Sequence, residues 1–94
     1  PFAAPQRFFA QHDPAQIPAP AVTAKPLGVS SWHASGEFYQ NYGHGERRPD
    51  MDEAYARALR HAYAASVSYV DSEVGRLLEA LAALPGADQT IVVV

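Results

Sequence analysis

The residues best suited to chemistry in this 94-residue chain are its four histidines and the serine and acidic side chains near them. Ser31, His33 and Glu37 are the residue types of a nucleophile, a base and an orienting acid. A serine relay normally presents its serine on a sharp strand-to-helix turn within a Gly-x-Ser-x-Gly motif. The sequence around Ser31 lacks that motif, so these three residues do not predict a catalytic relay.

A second set of candidates is His44 and Glu46, which stand two positions apart and carry side chains of the kind that bind metals. Zinc sites use three or four protein ligands, and the chain has no cysteine to complete such a set. We therefore expect His44 and Glu46 to be solvated loop residues. His61 follows Arg60 on the polar side of a predicted helix, where a surface position is expected.

Aromatic side chains and glycines are concentrated in residues 30–45, and the aromatic residues are Trp32, Phe38, Tyr39 and Tyr42. These rings could stack on a sugar or another ligand, but such residues more often pin a loop onto a core, and we favour pinning. Residues 17–27 contain three prolines and are expected to run extended across a surface. A ligand for an SH3-type groove is the alternative for this segment.

The main element that the sequence predicts is a long helix over residues 50–84. Asp50 and Glu53 have the spacing of a capping box at its start, and Pro85-Gly86 ends it. Glycine at position 75 predicts a close neighbour, because glycine in an exposed helix interior costs about 1 kcal/mol.

Apolar residues recur at helical spacing along this helix and predict one broad buried stripe. The stripe comprises Tyr55, Leu59, Ala62, Tyr63, Ser66, Val67, Val70, Val74, Leu77, Leu78, Leu81 and Leu84. The opposite, solvent-facing side carries Arg57, His61, Ser68, Ser72 and Glu79.

Two shorter elements flank the long helix. Residues 5–13 predict one or two helical turns, with Pro5 at the first helical position and Asp13-Pro14 as the stop. Phe8 and Phe9 are expected to anchor these turns on a neighbouring surface. Residues 89–94 are apolar without alternation and predict a core strand covered on both faces. Helix, tight stop and strand together predict an α/β fold, as half of a βαβ unit.

Composition excludes several classes of partner. A formal net charge of -3 argues against nucleic acid or an anionic membrane surface as the main partner. The sequence has no apolar run of membrane-spanning length. The chain begins at proline rather than methionine, and we expect it to be an internal segment of a longer protein whose isolated form is poorly soluble or molten.

Residues 59–81 and 87–94 resemble the type I sulfatases of the alkaline phosphatase superfamily, most closely the iduronate-2-sulfatase branch. The resemblance lies in residues 63–71 (YAASVSYVD), residues 74–78 (VGRLL) and the TIV run beyond them. Residues 5–9 (PQRFF) also resemble the stretch just after the Lys-Pro-His segment of these enzymes. The resemblance implies an alkaline-phosphatase-like mixed sheet sandwiched by helices, of which residues 1–94 would be an internal part: a loop-rich 1–49, the helix 50–84 and the strand 89–94.

The function that the resemblance implies is hydrolysis of sulfate esters, most often on a sulfated sugar or small molecule. Family members use a formylglycine made from Cys or Ser in a C/S-x-P-S/A-R motif, and a divalent cation, usually calcium. They are often periplasmic, secreted or lysosomal. None of those motifs occurs here, so we assign no catalytic, cofactor-binding or metal-binding residue to these 94 residues and expect the isolated chain to be inactive.

Three alternatives stay open. A choline sulfatase and a phosphonate monoester hydrolase belong to the same superfamily and are compatible with the same resemblance. The third is a non-enzymatic helical interaction module that uses the apolar stripe to hold a partner helix. Oligomeric state is not predicted.

Overall fold

The computed structural model of the chain describes residues 3–24, 27–28 and 52–93. The described part contains two α-helices and two 3₁₀ turns: α1 is Gln6–Phe9, α2 is Glu53–Ala82, and the turns are Pro14–Gln16 and Ala87–Gln89. Helix α1 and the first turn both pack against α2. The described architecture is therefore one long helix with an N-terminal segment (residues 5–16) lying across it.

The N-terminal segment is shorter in its helical part than the sequence predicts. Pro5 is not the first helical residue but the N-cap of α1, with extended backbone angles, and α1 ends at Phe9. Asp13 caps the first 3₁₀ turn, because its carboxylate accepts a hydrogen bond of 2.9 Å from the N–H of Ala15. Pro14 is suited to the position after that cap because its ring fixes φ and its missing N–H is not needed there.

The start of α2 differs from the predicted capping box. The N-cap is Asp52, whose carboxylate accepts a 2.9 Å hydrogen bond from the N–H of Tyr55. The prediction of Asp50 as N-cap is wrong, because only a residue directly before Glu53 can reach the unpaired N–H groups of the first turn. Glu53 then lies in the first turn, near the positive end of the helix dipole, and contacts Arg57 at 3.8 Å and Arg60 at 2.6 Å.

We expect Asp52→Ala to destabilise the first turn of α2 by about 1 kcal/mol, because the Tyr55 N–H loses its acceptor. Asp52→Asn keeps a side-chain oxygen in place and should lose much less. Helicity by far-UV circular dichroism, together with hydrogen exchange at residues 53–57, measures both changes. Equal helicity and exchange in Asp52→Ala and the unmodified chain would show that another residue caps the helix.

The end of α2 depends on a glycine. The helix closes at Ala82, and Gly86 adopts a positive φ of 83° where the chain turns into the second 3₁₀ turn. A residue with a Cβ is strained in this left-handed region, so glycine is required by the backbone. Pro85 cannot supply an N–H to continue the helix, so the pair produces the stop that the sequence predicts.

The predicted α/β fold, with its mixed sheet and its core strand at 89–94, is wrong for the described part of the chain. Gln89 belongs to a 3₁₀ turn, and residues 90–93 form no strand. Thr90 has extended backbone angles, but an extended segment becomes a strand only when a neighbour completes its hydrogen bonds. No segment within the described ranges pairs with this run, and Ile91 and Val93 are each 89% exposed. None of the described helices is long and apolar enough to cross a membrane.

The side of α2 that is covered is not the apolar stripe that the sequence predicts to be buried. The N-terminal segment packs on the side predicted to face solvent, through the packed face formed by His61, Ala65, Ser68 and Tyr69. Ala65 is completely buried there, whereas several residues of the predicted buried stripe are largely exposed. Periodicity identified the apolar side of the helix correctly, but within the described residues a different side is the one that packs.

Gly75 does not have the neighbour predicted for it among the described residues. A Cβ built at this position meets no atom within 4 Å, and the backbone there is helical. Gly75→Ala should therefore stabilise α2 by about 1 kcal/mol through helix propensity alone. The thermal loss of the circular dichroism signal at 222 nm measures this gain. A loss of stability on substitution would show that another element lies against Gly75.

Candidate functional site

The polar groups that come together in the described structure lie between the N-terminal segment and α2. His12 Nε2 is 2.8 Å from the hydroxyl oxygen of Ser68, and both side chains are partly buried. His12 reaches this position because its own N–H is held by the carbonyl of Phe9, at 3.2 Å, in the turn after α1. A histidine in hydrogen-bond contact with a serine is the first requirement of an activated nucleophile.

The His12–Ser68 pair lacks the other parts of a nucleophilic site. In the described part of the chain, the second ring nitrogen of His12 has no hydrogen-bond partner to orient it. Ser68 lies in the interior of α2, where the backbone N–H groups are already used by the helix and cannot stabilise an oxyanion. The pair is therefore better suited to holding the N-terminal segment than to catalysis, with a contribution of about 1 kcal/mol.

A second histidine holds the same segment one contact away. His61 Nε2 is 2.9 Å from the carbonyl oxygen of Phe9, and because a carbonyl only accepts, this nitrogen must carry the proton. The Phe9 ring meets the His61 ring edge-on, at 5.3 Å between centroids and an interplanar angle of 84°. The Phe9 carbonyl thus accepts from both His61 and the backbone of His12, which joins the two histidines into one network.

The apolar anchor of this network is Phe8. Its side chain is 4% exposed, and its ring lies 5.2 Å from the ring of Tyr69 at a tilt of 46°. The guanidinium of Arg7 covers the ring at 4.7 Å from its centroid. The prediction that Phe8 and Phe9 anchor the short helix is confirmed, and the surface they use is α2.

We expect the hydrogen bond between His12 and Ser68 to show coupling in a double-mutant cycle. His12→Ala and Ser68→Ala should each weaken docking of the N-terminal segment, and the double variant should lose about 1 kcal/mol less than the sum. Hydrogen exchange at residues 6–12 measures the docking free energy. Strictly additive losses would mean that the two side chains do not interact in solution. Ser72→Ala, one turn further along α2, is the control that should leave the docking unchanged.

Some predicted candidates lie outside the described residues. They are Ser31, His33, Glu37, His44, Glu46 and the aromatic residues of 30–45. Within the described ranges, no group of three or more His, Asp or Glu side chains could hold a metal ion.

Sequence reasoning missed the histidine network because it expected His61 at the surface. The available signal was the small Ala65 between His61 and Ser68, which leaves room for another segment to approach the helix. His12, three residues after a pair of adjacent phenylalanines, is likewise consistent with a segment that approaches the helix. The surface position expected for His61 is wrong, since its ring is partly buried and hydrogen-bonded.

Comparison with known proteins gives one informative match. The choline-sulfatase of Rhizobium meliloti (strain 1021) is 29% identical over 96 residues, covering 98% of this chain. This chain is similar to part of a sulfatase. It spans only 17% of that relative's length. No family model and no solved structure matches the chain.

The match covers nearly the whole chain and so includes both the N-terminal segment and α2. It supports a relationship at the level of sulfatases. The match does not support the narrower resemblance to the iduronate-2-sulfatase branch, because this relative is a choline-sulfatase.

Proposed function

We propose that this chain is a scaffold segment of a sulfatase, a protein that hydrolyses sulfate esters. The observation that carries the proposal is the similarity to a choline-sulfatase over 98% of the chain. The match includes both α2 and the segment that packs on it, so the two elements are proposed to form one unit in the parent protein. The enzymatic activity belongs to that parent, and the 94 residues alone are expected to be inactive.

The scaffold role rests on the chemistry that the described residues offer. Among the described residues, the single serine–histidine contact joins His12 to Ser68, which lies in the middle of α2. No hydrogen-bond partner within these ranges orients the His12 ring. The described side chains do not fit a metal centre, and the sequence has no C/S-x-P-S/A-R motif from which formylglycine could form. We therefore place the formylglycine nucleophile and the divalent cation, expected to be calcium, outside these residues and derive no chemical step through either.

For the substrate, we propose a small sulfate ester of the choline sulfate kind in preference to a sulfated sugar. The preference rests on the name of the relative, a choline-sulfatase. Choline sulfate carries a quaternary ammonium, which proteins recognise through aromatic rings. The aromatic residues of 30–45 could supply such rings, although we favour a role in pinning the loop.

The experiment is an assay of the protein encoded by the whole gene. Release of inorganic sulfate is compared for choline sulfate, a sulfated monosaccharide and an aryl sulfate, with a phosphonate monoester as the test of the rival hydrolase. We expect sulfate release, with the highest kcat/KM for choline sulfate. Faster hydrolysis of the phosphonate monoester would replace the sulfatase proposal, and preference for the sugar would correct only the substrate.

A second candidate function is a helical interaction module. The observation in its favour is the exposure of Val67, Val70 and Leu77 on one side of α2. A protein of this kind would bind a partner through that side and release no sulfate from any of the substrates above.

A further inference from the structure

Four aliphatic side chains on one side of α2 are exposed together. They lie within an arc of about 100° around the helix axis and over about 17 Å of its length. Their exposed fractions run from 41% at Leu78 to 70% at Leu77. We call these four residues the aliphatic patch: Val67, Val70, Leu77 and Leu78.

The aliphatic patch has the composition of a buried helix face. Between residues 67 and 78, no charged side chain falls inside its arc, and Asp71 and Glu73 border it on its two sides. A helix side that faces water normally carries charged or polar residues at most of its positions. On soluble proteins, a contiguous apolar surface with a polar rim marks a contact site. The patch is therefore a contact surface.

The N-terminal segment does not cover this surface. It lies on the packed face, on the opposite side of α2, where His12 and Phe8 hold it. With the packed face already covered, a second contact over the aliphatic patch would enclose α2 on two sides, as in the inner layer of a larger domain.

The similarity to the choline-sulfatase indicates where the covering surface comes from. The match uses 98% of this chain and 17% of the relative, so more than four-fifths of that protein's length lies outside it. An apolar surface in the same polypeptide is tethered to α2, so it meets the patch at a high effective concentration without a second molecule. We propose that the aliphatic patch packs against an apolar surface that the parent polypeptide supplies from outside residues 1–94. This inference rests on the proposed sulfatase parent, although not on which ester the parent hydrolyses.

The chemistry of the covering surface follows from the patch and its borders. Burial of aliphatic side chains is favourable where the opposing atoms are apolar and closely packed. Asp71 is exposed at one border, whereas Glu73 at the other is paired with Arg76 of the same helix at 2.7 Å. A carboxylate placed opposite Asp71 would be repelled. We therefore expect an uncharged apolar surface with a basic or hydrogen-bond-donating group beside Asp71.

The test measures how fast a thiol in the patch reacts with a maleimide in the whole protein that the gene encodes. Val70→Cys and Leu77→Cys place the thiol inside the patch, and cysteine behaves as a small apolar side chain. Glu79→Cys is the matched control, because residue 79 is exposed in the same helix on the opposite side. Mass spectrometry of the peptide that carries each substitution separates its labelling from that of any other cysteine. We expect labelling at residues 70 and 77 to be at least tenfold slower than at residue 79.

The labelling rates also identify what covers the patch. Cover supplied by the same polypeptide does not depend on concentration, so the slow rates should persist over a hundredfold dilution. Equal labelling at residues 70, 77 and 79 would overturn the proposal. Slow labelling that becomes fast on dilution would overturn it as well, because it would mean that a second molecule covers the patch. Circular dichroism and thermal melting verify that each variant is folded.

Sulfate release by the unmodified protein tests the proposed function separately. Slow labelling in a protein that releases no sulfate would refute the sulfatase proposal and leave the proposed contact standing. Sulfate release together with fast labelling at residues 70 and 77 would overturn the contact alone.

Discussion

Phe8→Ala is expected to release the N-terminal segment from α2, the largest single effect predicted for this chain. Phe8 is 4% exposed and stacks against Tyr69, so its truncation removes both the apolar burial and the ring contact. Truncating a buried phenylalanine costs about 3–5 kcal/mol. That exceeds the roughly 1 kcal/mol that each of the hydrogen bonds from His12 and His61 supplies.

Hydrogen exchange at residues 6–12 measures this release. The exchange rate in Phe8→Ala should rise to that of an unstructured peptide, while exchange in the middle of α2 changes little. Phe8→Leu is the control, because it keeps an apolar side chain in the same cavity and should lose less than half as much. Protection of residues 6–12 that survives Phe8→Ala would show that the histidine network, rather than Phe8, holds the segment.

Ala65→Leu is expected to weaken the packing between α2 and the N-terminal segment through a change on α2. Ala65 is completely buried on the packed face of α2, between His61 and Ser68, which both hydrogen-bond to the N-terminal segment, so a larger side chain has little space there. Overpacking of this kind costs about 1–3 kcal/mol. Alanine and leucine have similar helix propensity, so the loss reports packing rather than helix formation.

Ala80→Leu is the matched control for that substitution. Ala80 lies in the same helix but is exposed, so the added side chain projects into solvent and should leave hydrogen exchange at residues 6–12 unchanged. Ala65→Leu should raise that exchange by at least tenfold. Equal behaviour of the two variants would mean that the N-terminal segment does not lie against Ala65 in solution.

The long helix is the element that the sequence predicts best, because its signals are local. An acidic cap, a continuous helical period and a Pro85-Gly86 stop all act within a few residues of one another. The remaining errors are at its two ends: α2 closes at Ala82 rather than at residue 84, and at the start Asp50 and Asp52 both satisfy the rule for a cap. Only the backbone decides that Asp52 takes the role.

The faces of α2 could not be assigned from periodicity, since periodicity reports which side is apolar and not which side is covered. The covered side depends on where the N-terminal segment lies, and that contact joins residues 56 positions apart in the case of His12 and Ser68. Long-range contacts of this kind leave no regular pattern in the sequence. The small Ala65 was the one local sign of them.

The strand prediction for residues 89–94 failed for a related reason. An apolar run specifies that a segment favours burial, but a strand exists only through hydrogen bonds to a neighbour. The described ranges contain no such neighbour, and residues 90–93 are exposed and form no strand. The candidate site was predicted even less well, because its two histidines belong to separate elements and neither carries a motif.

The measurement that tests the central claim most directly is to read the encoding DNA in frame through both ends of this segment. If the chain is a sulfatase scaffold, the frame should continue upstream to a C/S-x-P-S/A-R motif, the source of the formylglycine nucleophile. A complete open reading frame that contains these residues but no such motif would contradict the sulfatase proposal and leave the helical interaction module in its place.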